Sequence, residues 1–278
     1  MKFKNAMQLK AWVNNKSKKT GIPAPELMKI FMLERLLERI SLSNYRDKLI
    51  LKGGFLIASM IGVNLRSTAD IDTTVKNIEM NRNSIINIMQ EVITTDVDDG
   101  IVFVIQSVTE IHEESEYDDF RMMLLAKFEK VKEHIQVDFT TGHVIIPHEI
   151  EYRYKLMFED RTISVMSYNL NTILSEKIEA ILSRHIEGTR ARDYYDIYML
   201  VSLYKDTLCR KDVLNAIRIK AQERGTQKYI EEYSKYIHSI SDSPEIAKVW
   251  QNYTKEHTYA EGIKLSDTIS AITWLFEG

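Results

Sequence analysis

Two aspartates separated by one residue, Asp70 and Asp72, are the side chains of this chain best suited to metal-assisted chemistry. They stand at the head of an apolar, β-branched run that predicts a strand over residues 71–75. Because the side chains of a strand alternate between its two faces, both carboxylates are expected on one face. Such a pair can ligate Mg²⁺ or Mn²⁺, a hard cation that shares its oxygen ligands with substrate phosphates.

A paired glycine, Gly53-Gly54, lies shortly before the aspartates, between a predicted strand over residues 49–51 and a predicted helix over residues 54–62. Glycines let the backbone approach a phosphate and point N–H groups at it from a helix N-terminus. Arg66, in the loop that leads to the aspartates, is a further candidate for nucleotide binding. This order of elements is typical of a nucleotidyltransferase, which takes an NTP as substrate.

A third carboxylate, Asp138, stands near the end of a predicted strand over residues 134–139. Its neighbours in sequence are apolar, so its side chain should face away from theirs. In metal-assisted phosphoryl transfer, such a group shares the cation or accepts the proton of the attacking hydroxyl. A purely structural aspartate is the alternative.

Charged residues recur on two consecutive predicted helices, over residues 170–186 and 190–204. Lys177 and Arg184 share one helix surface by their spacing, so both can point at one site. A lysine meets a triphosphate as a point charge, whereas an arginine meets it as a planar fork. Asp193 begins the next helix, where the helix dipole favours an acid. We expect Lys177 and Asp193 to converge with the aspartate pair; the alternative for Lys177 is a surface lysine paired with a glutamate.

The bulk composition restricts the class of protein. The chain has 278 residues, of which 44% are hydrophobic and 28% charged, an ordinary globular composition with room for one or two domains. A net charge of −3 gives no overall basic field, so any nucleic-acid surface must be local. The single cysteine, Cys209, cannot form an internal disulfide, which indicates a reducing, cytoplasmic compartment. Neither a signal peptide nor a membrane span is expected, so no membrane partner is predicted.

The hydrophobic periodicity predicts an α+β fold that changes character near residue 168. Residues 1–168 are expected to form a nucleotidyltransferase-like mixed sheet with flanking and N-terminal helices, and residues 169–278 a helical bundle. Predicted helices of the first part cover 6–20, 27–40, 54–62 and 81–93, and its strands cover 49–51, 71–75, 101–105, 120–129, 134–139 and 163–166, with a loop at 117–119. The bundle is predicted from helices over 170–186, 190–204, 211–222, 229–239, 244–256 and 265–276.

Charge patterning predicts two exposed surfaces. The first is the polar face of the helix over residues 27–40, where i,i+4 pairs are expected in solvent; it comprises Glu34, Arg35, Glu38 and Arg39. The second is a basic stripe in the helical part, which either binds an RNA backbone or is an ordinary solvated surface. The stripe comprises Lys205, Arg210, Lys211, Arg218, Lys220, Arg224 and Lys228.

In sequence the chain resembles the AbiEii-type abortive-infection toxins, within the DNA polymerase β-like nucleotidyltransferase superfamily. The resemblance spans about residues 25–205, and its pieces are specific only as an ordered set. They are Leu49-Ile50-Leu51-Lys52-Gly53-Gly54, Arg66-Ser67-Thr68-Ala69-Asp70-Ile71-Asp72, Val137-Asp138, Glu176-Lys177 and Arg192-Asp193-Tyr194-Tyr195-Asp196.

The resemblance implies a complete set of site residues and partners. Gly53-Gly54 matches the family's glycine motif, Asp70 and Asp72 match its metal pair, and Lys177 and Asp193 match its remaining site residues. Many superfamily members have Gly-Ser where this chain has Gly54, so a hydroxyl contact to phosphate is missing here. Family members are typically toxins of two-gene systems in phage defence, with antitoxin partners that carry a winged-helix DNA-binding part, and relatives transfer nucleotides to tRNA acceptor ends.

Two other functions remain open from the residues alone. A small-molecule nucleotidyltransferase, such as one that inactivates an antibiotic, needs the same metal site and a closed acidic pocket. A non-catalytic nucleotide-binding partner protein needs no second or third carboxylate, so the aspartates favour an enzyme.

Overall fold

The structure, a computed structural model, describes residues 2–62, 64, 66, 68, 70–111 and 119–277. Ser67 and Ala69 of the sequence motif, and Tyr117 and Asp118 of the predicted loop, lie outside these residues. Contacts within the chain define two compact units. The first is Met1–His143 with Glu149–Tyr168, and the second is Val144–His148 with Asn169–Gly278.

The short segment Val144–His148 belongs to the second unit, although it was predicted within the first domain. The amide of Ile146 donates to the hydroxyl of Thr172 at 2.9 Å, and that hydroxyl donates to the Ile146 carbonyl at 3.1 Å. Lys220 Nζ donates to the Val144 carbonyl at 3.0 Å. These backbone contacts fasten the segment to the helices that follow residue 168.

The first unit is built on a mixed sheet of seven strands within the described residues, in the order β3-β4-β5-β2-β1-β7-β6. The strands are β1 (Leu49–Lys52), β2 (Asp70–Val75), β3 (Val102–Ile111), β4 (Asp119–Phe128), β5 (Val131–Thr140), β6 (Ile150–Lys155) and β7 (Thr162–Ser167). β2 runs parallel to β5 and β1 parallel to β7, whereas the other neighbouring strands are antiparallel. Edge strand β6 was not predicted, although Ile150, Tyr152 and Tyr154 alternate with charged residues; most of its residues are exposed.

Four helices accompany this sheet in the described part of the first unit. They are α1 (Ala6–Thr20), α2 (Ala24–Leu42), α3 (Gly53–Ile61) and α4 (Arg82–Thr94). Asn5 and Asn81 cap α1 and α4 by accepting hydrogen bonds from first-turn amides, which fixes where those helices begin. The predicted fold class, a mixed sheet with flanking helices, is confirmed.

Helix α2 contradicts the expected solvated face, because its charged residues are buried. Glu34, Arg35, Glu38 and Arg39 are 0%, 1%, 8% and 4% exposed. Arg35 and Glu38 pair with each other within the helix, at 2.9 Å, but their other partners come from distant parts of the chain, where periodicity within one helix gives no information. Arg39 donates to both carboxylate oxygens of Asp99 at 2.8 Å, and Arg161 lies 2.7 Å from Glu38. Buried charges are tolerated when they are paired and hydrogen-bonded in this way.

Glu34 gives the first unit a pH-dependent stability. Burial raises its pKa from 4.5 to about 7, although the Met157 amide donates to its Oε1 at 2.6 Å. The folded state therefore holds a proton that the unfolded chain releases. We expect the free energy of unfolding to fall by up to about 3 kcal/mol as pH rises from 4.5 to about 7.

Urea unfolding at a series of pH values tests this expectation. Glu34→Gln has no proton to release and should show a flatter profile, whereas the exposed Glu79→Gln should keep the wild-type slope. Identical slopes for wild type and Glu34→Gln would assign the pH dependence to other groups.

The second unit is helical in its described residues. Its helices are α5 (Leu170–Arg184), α6 (Ala191–Tyr204), α7 (Arg210–Glu223), α8 (Gln227–Glu231), α9 (Tyr233–Ser241), α10 (Pro244–Glu256) and α11 (Leu265–Phe276). The single helix predicted over 229–239 is two helices, which are separated at Glu232. Among the described residues, no helix combines the length and the apolarity that a membrane crossing requires.

Candidate active site

A row of charged residues crosses four adjacent strands of the first unit. In the strand register, Lys52 of β1 pairs with Asp72 of β2, Asp72 with Asp138 of β5, and Asp138 with Arg121 of β4. Directly paired residues project from the same face of a sheet. Asp70 precedes Asp72 by two residues, so it lies on that face as well. The sheet therefore gathers the three predicted carboxylates between two basic side chains, Lys52 and Arg121.

The paired glycine lies at the start of α3, against Asp72. The Gly54 amide donates to Asp72 Oδ2 at 3.3 Å. Gly53 has a φ of +65°, and a Cβ added there would lie 1.9 Å from Asp72 Oδ2. Both its conformation and its closeness to the carboxylate require glycine. The paired glycine thus lets the backbone at the start of α3 lie close to Asp72 of β2.

Arg66 and Thr68, which precede β2 in the chain, contact the glycine pair and Asp70. Arg66 is 3% exposed, and its Nη1 donates to the Gly54 carbonyl at 2.7 Å. The Thr68 hydroxyl donates to Asp70 Oδ1 at 3.4 Å. A Cβ at Gly54 would lie 2.6 Å from Arg66 Nη1, so the guanidinium fills the space that a serine side chain would need. Nucleotide binding by Arg66 stays a prediction.

The acidic pair has the electrostatics of a site that would accept a cation. Burial, followed by the charge of Asp70, raises the pKa of Asp72 to about 6, against the opposing effect of Lys52. Crowded, poorly compensated carboxylates are the donor set that a hard divalent ion prefers. Among the described residues, no three His, Cys, Asp or Glu side chains form a group able to hold a metal ion. Asp70 and Asp72 supply carboxylate oxygens, which are the donors that a hard divalent cation takes as ligands.

Asp138 is fully engaged with other side chains. Arg121 donates to it through Nε at 2.9 Å and Nη2 at 2.8 Å, in a bidentate pair. Gln136 Nε2 donates to its two oxygens at 3.2 and 3.1 Å. Asp138 was predicted from sequence, but Arg121, Gln136 and Lys52 were not assigned. Lys52 could have been assigned to the site from sequence, because it directly precedes the glycine pair. The Arg121–Asp138 pair could not, because it depends on strand register.

In the second unit, Lys177 of α5 is clamped by two carboxylates of α6. Its Nζ lies 2.5 Å from Asp193 Oδ1 and 2.8 Å from Asp196 Oδ2. The lysine side chain is 15% exposed and that of Asp196 is fully buried, so Lys177 is not a surface lysine. Arg184 lies at the exposed end of α5. The structure thus brings Lys177 and Asp193 together and adds Asp196, whose role was not predicted.

The predicted basic stripe is only partly on the surface. Lys220 is fully buried, where its Nζ lies 2.8 Å from Glu223 and 3.5 Å from Glu176. The prediction that Lys220 is exposed was wrong, because the carbonyl that its ammonium binds belongs to Val144, which lies far away in sequence. Lys211 and Arg218, on α7, remain exposed.

Solved structures of other proteins superpose on this chain. The nucleotidyltransferase toxin MenT4 from Mycobacterium tuberculosis H37Rv superposes with a TM-score of 0.52 at 13% identity, over 96% of this chain and 98% of that chain. The Helicobacter pylori protein JHP933 superposes with a TM-score of 0.48 at 12% identity, over 90% of this chain and 89% of that chain. At such identities, the likeness to MenT4 shows the fold alone.

No curated protein matches the chain in sequence. A family model described as "Nucleotidyl transferase AbiEii toxin, Type IV TA system" matches residues 35–274, which is most of the chain. The match includes the glycine pair, the aspartate pair and the Lys177–Asp193 contact. The chain belongs to the AbiEii family of nucleotidyltransferase toxins.

Proposed function

We propose that this protein transfers a nucleotidyl group from an NTP to a hydroxyl on RNA, with tRNA as the acceptor. The observation that carries the proposal is the placement of Asp70 and Asp72 on one face of β2, against the glycines that begin α3. The pair supplies carboxylate oxygens, and the helix start supplies backbone N–H donors for a phosphate. Positioning and charge neutralisation are the main contributions that such a transfer requires.

Asp70 and Asp72 are the residues that would hold Mg²⁺ or Mn²⁺, with Asp138 as the predicted third ligand. When bound, the cation would neutralise charge on the phosphates. The protein's own residues bind and orient the substrate: Gly53 and Gly54 through the backbone, and Arg66 by holding the Gly54 carbonyl. On the sequence prediction, Asp138 accepts the proton of the attacking hydroxyl, while Lys177, Arg184 and Asp193 serve the triphosphate.

The direct test incubates the protein with each labelled NTP and total RNA, followed by separation on a gel. Label in a tRNA band with one NTP supports the proposal. Label in small molecules alone would instead favour a small-molecule acceptor. Nucleotide binding without transfer to any acceptor would favour a non-catalytic partner protein.

The family description implies a partner as well as a substrate. In a two-gene system, the toxin is restrained by an antitoxin, and we propose an antitoxin with a winged-helix DNA-binding part and a role in phage defence. Expression of the toxin alone should arrest growth, and co-expression of the adjacent gene should relieve the arrest. Relief without any protein–protein complex in pull-down would argue for indirect action, as in a type IV system.

Lys177 offers a second test of the site. Lys177→Met removes the ammonium held by Asp193 and Asp196, and we expect kcat/KM to fall by about tenfold to a hundredfold. Lys177→Arg keeps the charge and should lose less. Lys248→Met, an exposed lysine on α10, is the matched control and should behave as wild type. Wild-type kinetics for folded Lys177→Met would remove Lys177 from the site.

The RNA acceptor predicts a salt-sensitive surface on α7. Each phosphate neutralised by a basic side chain releases counterions, so RNA affinity should fall steeply with added salt. Lys211→Glu/Arg218→Glu should weaken RNA modification and reduce the salt slope by about two, with NTP binding unchanged. Lys10→Glu/Lys248→Glu makes the same charge change at other exposed positions. Equal loss in both double variants would point to net charge rather than to this surface.

A further inference from the structure

The charged row across the sheet has a basic side chain at each end, with the carboxylates between them. Lys52 stands beside Asp72 on one side, and Arg121 stands beside Asp138 on the other. The Lys52 ammonium also lies 5.7 Å from the centre of the Tyr168 ring. Arg121 belongs to none of the sequence motifs that indicated the site, and its place in the row follows from the pairing of β4 with β5.

The Arg121–Asp138 pair has the geometry of a fixed anchor. The guanidinium uses one edge, Nε and Nη2, for the two oxygens of Asp138. Gln136 reaches both oxygens from the same face, so Asp138 accepts four hydrogen bonds in all. A carboxylate saturated in this way has little capacity left for a cation or for an incoming proton.

The other edge of the guanidinium is turned outward. The Arg121 side chain is 43% exposed, and within the described residues its hydrogen bonds are all to Asp138. The hydrogen bond to Asp138 raises the pKa of Arg121, and the charges of Asp70 and Asp72 contribute in the same direction. The fork therefore stays charged, rigid and close to the acidic pair, with Nη1 free of any described acceptor.

We propose that Arg121 binds a phosphate group of the nucleotide beside Asp70 and Asp72, and that Asp138 holds Arg121 in place. Arg121 is then a substrate-binding residue, and Asp138 is a positioning residue that acts through it. This inference rests on the proposed function. It replaces both predicted roles of Asp138, third cation ligand and proton acceptor, with an arginine clamp. A guanidinium suits phosphate because its donors form planar, bidentate contacts.

Cation binding separates the two roles of Asp138. Mn²⁺ affinity without nucleotide, measured by electron paramagnetic resonance, should fall at least tenfold in Asp70→Asn and Asp72→Asn. It should stay within about threefold of wild type in Asp138→Asn and Arg121→Gln, because neither residue touches the cation. A loss of Mn²⁺ binding in Asp138→Asn equal to that in Asp72→Asn would overturn the inference.

Nucleotide binding tests the clamp itself. Titration calorimetry with ATP, CTP, GTP and UTP, each with Ca²⁺ in place of Mg²⁺, measures affinity without turnover. Arg121→Gln should weaken binding of the preferred NTP about tenfold to a hundredfold, and Arg121→Lys, which keeps the charge but loses the fork, should fall between. Arg153→Gln, an exposed arginine of β6, is the matched control.

A double-mutant cycle then shows whether Asp138 acts through Arg121. Asp138→Asn should weaken NTP binding less than Arg121→Gln, and the double variant should be no weaker than Arg121→Gln alone. Additive losses would overturn the positioning role, and wild-type affinity in folded Arg121→Gln would overturn the clamp while leaving the proposed function standing. Failure of the wild-type protein to bind any of the four NTPs would overturn both.

Discussion

Asp70→Asn and Asp72→Asn should each abolish nucleotidyl transfer while the protein remains folded. Each variant removes one of the two carboxylates that share a face of β2, and loss of one such charge contact costs about 10²–10³ in rate or more. The fold should survive, because the only amide that bonds Asp72 among the described hydrogen bonds is that of Gly54, at 3.3 Å, and an asparagine oxygen still accepts it. Thermal unfolding midpoints should therefore stay at or near the wild-type value.

The matched control is Asp47→Asn, whose carboxylate in the same unit is 76% exposed. It makes the same chemical change away from the charged row and should keep full transfer and full toxicity. Growth arrest on expression gives a second readout that needs no knowledge of the acceptor. If Asp70→Asn and Asp72→Asn arrest growth at wild-type protein levels, the pair is not the catalytic centre.

Local patterns were enough to predict the elements and the core of the site. The alternation of β2 places Asp70 and Asp72 on one face, and the glycines mark the start of α3. Helices α1, α10 and α11 begin and end where their periodicity predicts. These features depend on residues close together in sequence, so a single chain contains the information for them.

Pairings between distant residues could not be predicted in the same way. The charged residues of α2 were predicted to form a solvated face, yet Arg39 pairs with Asp99, and Glu38 with Arg161, in the interior. Lys220 was predicted to belong to a surface stripe, yet it is buried and its ammonium donates to the carbonyl of Val144. In each case, the residue that pairs with the charge lies on an element whose position is set by the tertiary fold. The Arg121–Asp138 pair was missed for the same reason.

Gly53→Ala should reduce transfer as severely as the loss of Asp72, although it removes no functional group. A Cβ at Gly53 would lie 1.9 Å from Asp72 Oδ2 and 2.6 Å from its Cγ, distances that no side chain can keep. The carboxylate must move, and with it one of the two proposed cation ligands. We expect a rate loss of about 10²-fold or more together with weaker Mn²⁺ binding, measured on the purified variant.

Backbone strain alone must be separated from this clash, and the chain provides the control. Gly225 has a φ of +66°, almost the +65° of Gly53, but a Cβ there would have no neighbour within 4 Å. Gly225→Ala should therefore lose only the stability that a left-handed alanine costs, about 1–2 kcal/mol, and keep its activity. Gly21→Ala, with a φ of +76° and equally open space, repeats the control within the first unit. If Gly53→Ala matched these two in activity, Asp72 would tolerate displacement, and the close approach of the glycine would serve stability instead of catalysis.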